Sequence, residues 1–251
     1  MLRAIFLSLL GLLFIFFAGT PLVVYALITG NTNPLYKVGI FCSSLGLRLG
    51  GIRLDVRGRE KIPPDRAVVF MANHESNIDS PAIAVCLPPV LVLGKKEAFR
   101  IPVLGRAMRM RGFIPVDRKE RERAIEAVER ASEALRGGKS FLIFPEGTRS
   151  PDGRLQRLKK GGFIMALKAG APIVPVSLSG GRRIMGKGEA AIHAGRIRVT
   201  FHDPVRTDHR SLEDRDQVME EVRQALLSGL DEDEWPLEDL AKRPAQGSAG
   251  S

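Results

Sequence analysis

Ala67-Val-Val-Phe-Met-Ala-Asn-His-Glu-Ser-Asn-Ile-Asp-Ser-Pro81 decides the architecture. Its first five residues are a short apolar run suited to a buried strand, and the run ends at Asn73-His74. Its last three, Asp79-Ser80-Pro81, have the chemistry of a helix start, because serine caps well and proline fits the first turn. Strand, polar loop and helix in immediate succession form the repeating unit of an α/β domain. The alternation continues on both sides. Residues 52–56, 90–93, 112–116, 141–144, 173–178 and 197–201 read as further strands. Residues 81–86, 121–136, 163–168 (closed by Gly170) and 212–227 carry helical periodicity. The pattern predicts an α/β fold with a mixed, largely parallel sheet flanked by helices.

The chain outside this domain has a different character. From Ala4 to Thr29 there is no charged residue, and Leu, Ile, Phe and Val dominate. A helix crosses a hydrocarbon core with about 20 such residues. Gly19-Thr20-Pro21 interrupts the run, and a proline inside a helix removes a hydrogen bond and kinks or breaks it. A second, weakly amphipathic stretch covers 34–49, with Lys37 and Arg48 among apolar residues. A signal peptide, a single transmembrane anchor and a helix pair embedded in one leaflet all fit such a pattern. The apolar run continues past every small-residue site, against a signal peptide. No Asp or Glu precedes Asp55, whereas Arg3, Lys37, Arg48 and Arg53 do, which favours anionic head groups on the cytoplasmic side of the cell membrane. Three regions follow: membrane-associated helices in 1–50, the α/β domain in 51–230, and a flexible tail, acidic and then polar, in 231–251.

Composition narrows the function classes. With 44% hydrophobic and 26% charged residues in 251, the chain is globular rather than disordered. Cys42 and Cys86 cannot build a disulfide scaffold, and neither they nor His74, His193, His202 and His209 have metal-ligand spacing, so neither metal nor cofactor is expected. A net charge of +10 calls for an anionic partner: nucleic acid, a membrane surface or a phosphorylated substrate. Nucleic acid is disfavoured because aromatics make up only 6% and no stacking residues interleave the basic window.

Three polar clusters follow strands: Asn73-His74, Asp117-Arg118 and Pro145-Glu-Gly-Thr-Arg149. Ligands of open α/β sheets bind at strand carboxyl ends, so the clusters are expected to converge on one site. His74 and Asp79 are five residues apart, about 140° on a regular helix, and would not share a face there. They meet if His74 sits on the loop and Asp79 begins the helix. An Asp that accepts from one imidazole nitrogen fixes the tautomer and leaves the other nitrogen as a base. The competing reading is a capping Asp beside a structural histidine. In the third cluster Gly147 permits close approach of backbone to a ligand, and Arg149 offers a planar fork for phosphate. An ordinary glycine turn with a solvated arginine is the plainer alternative.

Together these blocks resemble the glycerolipid acyltransferase family, specifically its 1-acyl-glycerol-3-phosphate acyltransferases. Asn73-His74…Asp79 matches the family's His-x4-Asp block, Gly112-Phe-Ile-Pro-Val-Asp-Arg118 the second, Phe144-Pro-Glu-Gly-Thr-Arg149 the third and Ala171-Pro-Ile-Val-Pro-Val176 the fourth. Lys95-Lys96-Glu97 and Leu158-Lys-Lys-Gly161 fall where the family also carries basic residues. Departures are Pro115, inserted relative to the commoner second block, and Leu158 where phenylalanine is usual. The resemblance implies a glycerol-3-phosphate acyltransferase-like fold and transfer of a fatty acyl group from acyl-CoA or acyl carrier protein to lysophosphatidic acid at a membrane. His74 and Asp79 would be catalytic. Lys95, Arg118 and Arg149 would bind the acceptor phosphate, with Glu146, Gly147 and Thr148 forming the pocket. Ser76 reads as a hydroxyl bonded to backbone rather than as a nucleophile. Residues 95–123 hold ten basic and four acidic side chains. Within and beyond that window, Arg106, Arg109, Arg111, Arg182 and Arg183 read as charge facing the membrane or the donor. Glycerol-3-phosphate or another lysophospholipid as acceptor, and a non-catalytic membrane binder, are the alternatives.

Overall fold

The fold is that of a computed structural model, described for residues 6, 9, 11, 13–117, 120–189 and 191–241, with Ile15 by its backbone alone. Among the described residues seven strands form one sheet: β1 (Ile52–Arg57), β2 (Val69–Ala72), β3 (Leu91–Lys95), β4 (Ile114–Val116), β5 (Phe141–Ile143), β6 (Ile173–Ser179) and β7 (Gly195–Phe201). Their order is β1-β7-β6-β2-β5-β3-β4. Strands β6, β2, β5, β3 and β4 run parallel, while β7 is antiparallel to β6 and carries β1 parallel to itself. This is the mixed, largely parallel sheet that the alternation of apolar runs predicts. Pro115 is tolerated because β4 lies at the sheet edge, where a missing N–H breaks no inner ladder.

The helices are α1 (Thr20–Thr29), α2 (Asn33–Leu49), α3 (Asp79–Ala84), α4 (Leu104–Met110), α5 (Arg121–Arg136), α6 (Gly161–Ala169), α7 (Gly181–Met185), α8 (Arg215–Ser228) and α9 (Leu237–Leu240). Alternate strand residues enter two cores, as the pleat requires. Val69, Met71, Phe141, Ile143 and Ile173 pack against α5, α6 and α8. Phe70, Ala72, Leu142, Val174 and Val176 face α3, α7 and the end of α2. The continuous apolar strands therefore reflect burial on both faces.

At the N-terminus the chain stays helical through Gly19-Thr20-Pro21 instead of breaking. A π-helical turn, Ile15–Gly19, precedes α1, and Pro21 stands in the first turn of α1, where a helix tolerates proline best. Gly30, at φ +70°, then ends α1 in a left-handed cap before α2 turns back. Among the described residues no helix is long and apolar enough to cross a membrane. Val23 and Ala26 are buried, yet Phe16, Phe17, Leu27, Ile28 and Phe41 are exposed.

The acidic stretch after Leu230, expected to be flexible, is docked as far as the structure describes it. Asp231 and Glu234 form a capping box, and Glu234 is buried, accepting the amide of Gly180 at 2.8 Å. Asp231 also binds Arg183 at 2.8 Å and Arg198 at 2.6 Å, so its composition reflects partners on the domain rather than solvation. Residues 242–251 lie outside the described residues.

Candidate active site

Strand registers bring the polar clusters to one level. Met71 stands opposite Ile143, Leu91 opposite Phe141 and Lys95 opposite Val116. Counting outward, Asn73, Pro145, Lys95 and Val116 end the four strands side by side at the carboxyl edge. Asn73 secures this edge on its inner flank. Its buried amide donates to the Leu178 carbonyl at 2.8 Å and accepts the Leu178 N–H at 2.7 Å, extending the β2–β6 ladder with a side chain.

His74 and Asp79 meet as the loop placement requires. Helix α3 begins at Asp79, and Asp79 Oδ2 lies 2.8 Å from His74 Nδ1. The same oxygen accepts the amides of Glu75 and Ser76, each at 2.7 Å, so the His-x4-Asp spacing closes a tight turn around one carboxylate. Asp79 is fully buried and has no Lys or Arg ion-pair partner among the described residues. His74 Nε2 makes no hydrogen bond among the described residues, so the ring is anchored on one side and open on the other. Ser76 is tied down: its hydroxyl donates to the Met185 carbonyl at 2.6 Å and accepts the Ile78 amide.

The loop after β5 grips His74 from three directions. Glu146 Oε1 accepts the His74 amide at 2.6 Å, and the His74 carbonyl accepts the Ser150 amide at 2.7 Å. The Phe144 ring stacks on the imidazole at 4.1 Å and 22°. Glu146 is buried and spends its second oxygen on the Gln156 amide at 2.9 Å. It braces His74 rather than lining an open pocket. Burial pushes its carboxyl up to about 8, against the opposing pull of those two amides. Gly147 adopts φ +73°, and a Cβ there would lie 2.9 Å from Lys159 Nζ. Glycine is thus favoured by the left-handed turn, and the Lys159 side chain occupies the space it leaves. Thr148 is exposed and Arg149 half-buried. Among the described residues no carboxylate pairs with the Arg149 guanidinium, whereas its carbonyl accepts Lys187 Nζ at 2.9 Å.

Of the remaining expected cations, Lys95 is exposed at the level of Pro145, with Glu97 3.9 Å away. Its neighbour Lys96 is pinned to the buried carboxylate of Asp117. Arg118 lies outside the described residues. Four of the five arginines expected to face outward have partners within the fold. Arg109 donates to the Phe99 carbonyl, Arg111 lies over the Tyr36 ring at 4.9 Å, Arg182 donates to the Pro151 carbonyl and Arg183 binds Asp231. Local charge counting cannot see such partners, because each is distant in sequence or is backbone.

Beside the His74 loop opens an apolar cavity of about 820 Å³, enclosed by α1, α2, α4 and the sheet. Its wall includes Phe144, whose ring stacks on His74, and Ile78, which precedes Asp79, and runs to Tyr36 and Arg111. A volume in this range suits an extended apolar ligand with its polar end at the site. Periodicity did not disclose this cavity, because its lining comes from six separate segments of chain. Phe144 stood within a quoted block but without a role, and the structure puts its ring both against His74 and in the cavity wall.

A model of the acyltransferase family matches residues 53–179. A chloroplastic 1-acyl-sn-glycerol-3-phosphate acyltransferase from Brassica napus is 37% identical over 155 residues, 61% of this chain and 45% of its own. One from Arabidopsis thaliana is 34% identical over 181 residues, 71% of this chain and 49% of its own. The chain thus spans about half the length of these curated relatives. The crystal structure of the 1-acyl-sn-glycerophosphate acyltransferase from Thermotoga maritima superposes with a TM-score of 0.76 at 27% identity, covering 98% of this chain and 97% of that one.

Proposed function

The chain belongs to the acyltransferase family, and on that premise we propose that it moves a fatty acyl group from acyl-CoA or acyl carrier protein to the sn-2 hydroxyl of 1-acyl-glycerol-3-phosphate. The product is phosphatidic acid. The observation that carries this reading is the one-sided anchoring of His74: Nδ1 on buried Asp79 and Nε2 without a partner among the described residues, beside an apolar cavity whose wall includes Phe144, the ring that stacks on the imidazole.

The chemistry follows from that geometry. Asp79 holds the proton on Nδ1, so Nε2 carries the lone pair and takes the proton of the acceptor hydroxyl. The hydroxyl oxygen attacks the thioester carbonyl carbon as the proton leaves. The tetrahedral intermediate collapses, the C–S bond breaks, and the thiolate takes the proton back from the imidazolium. Asp79 stabilises the imidazolium through its formal charge, and no acyl-enzyme forms. Arg149, Lys159, Lys95 and Arg118 supply the charge for the acceptor phosphate, and the cavity takes an acyl chain.

The exposed apolar residues of α1 and α2 support a membrane role without a span. So many exposed large apolar side chains in one helical segment are costly in water and suit insertion into one leaflet. The helix pair would lie in the cytoplasmic leaflet of the cell membrane, drawing on anionic lipid through Lys37, Arg48 and Arg53.

The test is transfer of a labelled acyl group to a panel of acceptors in detergent, with His74→Ala beside the wild type. The wild type is expected to acylate lysophosphatidic acid in preference to monoacylglycerol, and His74→Ala to lose at least about 10²-fold in kcat while still folding. His74→Ala within a few-fold of wild type would remove the mechanism. No transfer to any acceptor by the wild type would remove the function.

A further inference from the structure

A second carboxyl is buried behind the first. Glu75 is 1% exposed, and no step of the mechanism above uses its side chain. Its Oε1 accepts the Gly181 amide at 2.6 Å, while Oε2 is buried with no hydrogen-bond partner. Asp79 has the complementary asymmetry: Oδ2 accepts three N–H groups, and Oδ1 is buried with none. Both carboxyls crowd the same glycine. A Cβ on Gly181 would lie 2.5 Å from Asp79 Oδ1 and 3.0 Å from Glu75 Oε1. A third buried carboxyl, Glu234, accepts the amide of Gly180 next door. Among the described residues neither Glu75 nor Glu234 has a Lys or Arg ion-pair partner.

Two adjacent buried carboxyls without a cation do not both ionise. The donor count decides which keeps its charge. Asp79 has two amides and the imidazole N–H converging on one oxygen, and so is the better anion. We propose that Glu75 is a positioning residue held as a neutral carboxylic acid, with its Oε2 proton donated to Asp79 Oδ1. The buried pair then carries one negative charge, delivered to His74 through Asp79 Oδ2. The hydrogen bond from Glu75 also closes the open side of Asp79 and stops its carboxylate from rotating away from the imidazole. The electrostatics agree: burial first, then the charges of Glu234 and Asp79, push Glu75 up to about 9. The other groups acting on it are His74, reached through Asp79, and the backbone amides of Gly181 and Arg182, which pull the carboxyl the other way.

The proposal rests on the acyl-transfer reading only for its kinetic arm. The direct arm is carboxyl 13C NMR of the full chain in detergent micelles, labelled at glutamate, with the Glu75 signal assigned by its loss in Glu75→Gln. That signal is expected to stay at the protonated position at pH 7 and to move only in the alkaline range. Titration with the ordinary glutamates would overturn the proposal whatever the enzyme does. In the kinetic arm, Glu75→Leu leaves Asp79 Oδ1 without its donor and is expected to lose about tenfold or more in kcat at nearly unchanged KM. Glu75→Gln restores a donor without a charge and should recover most of that loss. A Gln variant as impaired as Leu would mean that the charge matters, and a Leu variant with full kcat would mean that the residue merely fills space; either overturns the proposal. If Glu75→Leu fails to fold, the NMR titration of the wild type decides. A wild type with no transfer activity but a protonated Glu75 would count against the proposed function and leave the carboxyl pair standing.

Discussion

Gly181→Ala is the most exacting perturbation of the site, because it touches neither His74 nor any substrate. Its Cβ would lie 2.5 Å from Asp79 Oδ1 and 3.1 Å from Ser76 Cβ, where ordinary contact needs about 3.4 Å. One side must retreat by about 0.9 Å. If Asp79 yields, its 2.8 Å hydrogen bond to His74 Nδ1 stretches beyond useful length, and the imidazole loses both tautomer and orientation. If α7 yields, the Ser76 bond to the Met185 carbonyl breaks and the turn around Asp79 loosens from behind. A displacement of about 1 Å at a reacting group costs roughly 10²-fold, or about 2.7 kcal/mol in the barrier. We expect kcat to fall by that factor, KM for lysophosphatidic acid to change little and the melting temperature to drop by a few degrees. The control is Gly137→Ala, where the nearest atom is 3.4 Å away and no effect on kcat is expected. The assay is steady-state acyl transfer in detergent beside a thermal melt. A Gly181→Ala enzyme within threefold of wild type, with an unchanged melt, would refute the claim that the Gly181 turn sets the position of Asp79.

Four further outcomes follow from the same geometry. Arg149→Ala should raise the acceptor KM by roughly 10- to 150-fold with little change for the donor, and erode the preference for lysophosphatidic acid over monoacylglycerol; Arg149→Lys should recover only part of it, because an ammonium lacks the two-pronged contact. Asn73→Ala leaves the Leu178 N–H and carbonyl unpaired inside the sheet and should cost about 2–4 kcal/mol in urea unfolding. Glu146 has a folded-state pKa raised from 4.5 to about 8, so the folded chain holds a proton that the unfolded chain has released, and stability declines as pH rises across that window; Glu146→Gln should flatten the fall in melting temperature between pH 6 and about 9. Ile28→Glu, at a position 80% exposed, should weaken sedimentation with liposomes while leaving the melt of the α/β domain unchanged.

What was legible in the sequence is what depends on short-range pattern. The inner apolar runs became strands because an interior strand is buried on both faces and needs no partner to identify it, whereas the edge strand β1 is half exposed. Asp79 opens α3 because the loop and helix chemistry are contiguous. The antiparallel β6–β7 pair, the short helices α4 and α7 and the docking of 231–241 were not legible. Each is decided by contacts far along the chain, as Arg198 with Asp231 and Gly180 with Glu234 illustrate. The same division holds within the site. His74 and Asp79 were readable as a pair, since the bond joining them spans five residues. The role of Glu146 was not: the resemblance put it in the substrate pocket, whereas its partner is a backbone amide 72 residues earlier, which no local pattern discloses.

That long-range clamp explains why the two blocks belong together. A histidine base must present one nitrogen to the reaction while its backbone and ring stay still. The His-x4-Asp turn immobilises only one ring nitrogen, through one short side chain. The Phe144–Ser150 loop holds what remains: the amide through Glu146, the carbonyl through Ser150 and the ring face through Phe144. Lying between these braces, Gly147 turns the loop and admits Lys159, and Arg149 follows it in the same turn. In the proposed mechanism one loop therefore aligns the base and carries a cation for the acceptor phosphate. Because both are set by the same few residues, a change in Glu146 or Ser150 should shift acceptor KM and kcat together, whereas a change in Arg149 should act mainly on acceptor KM.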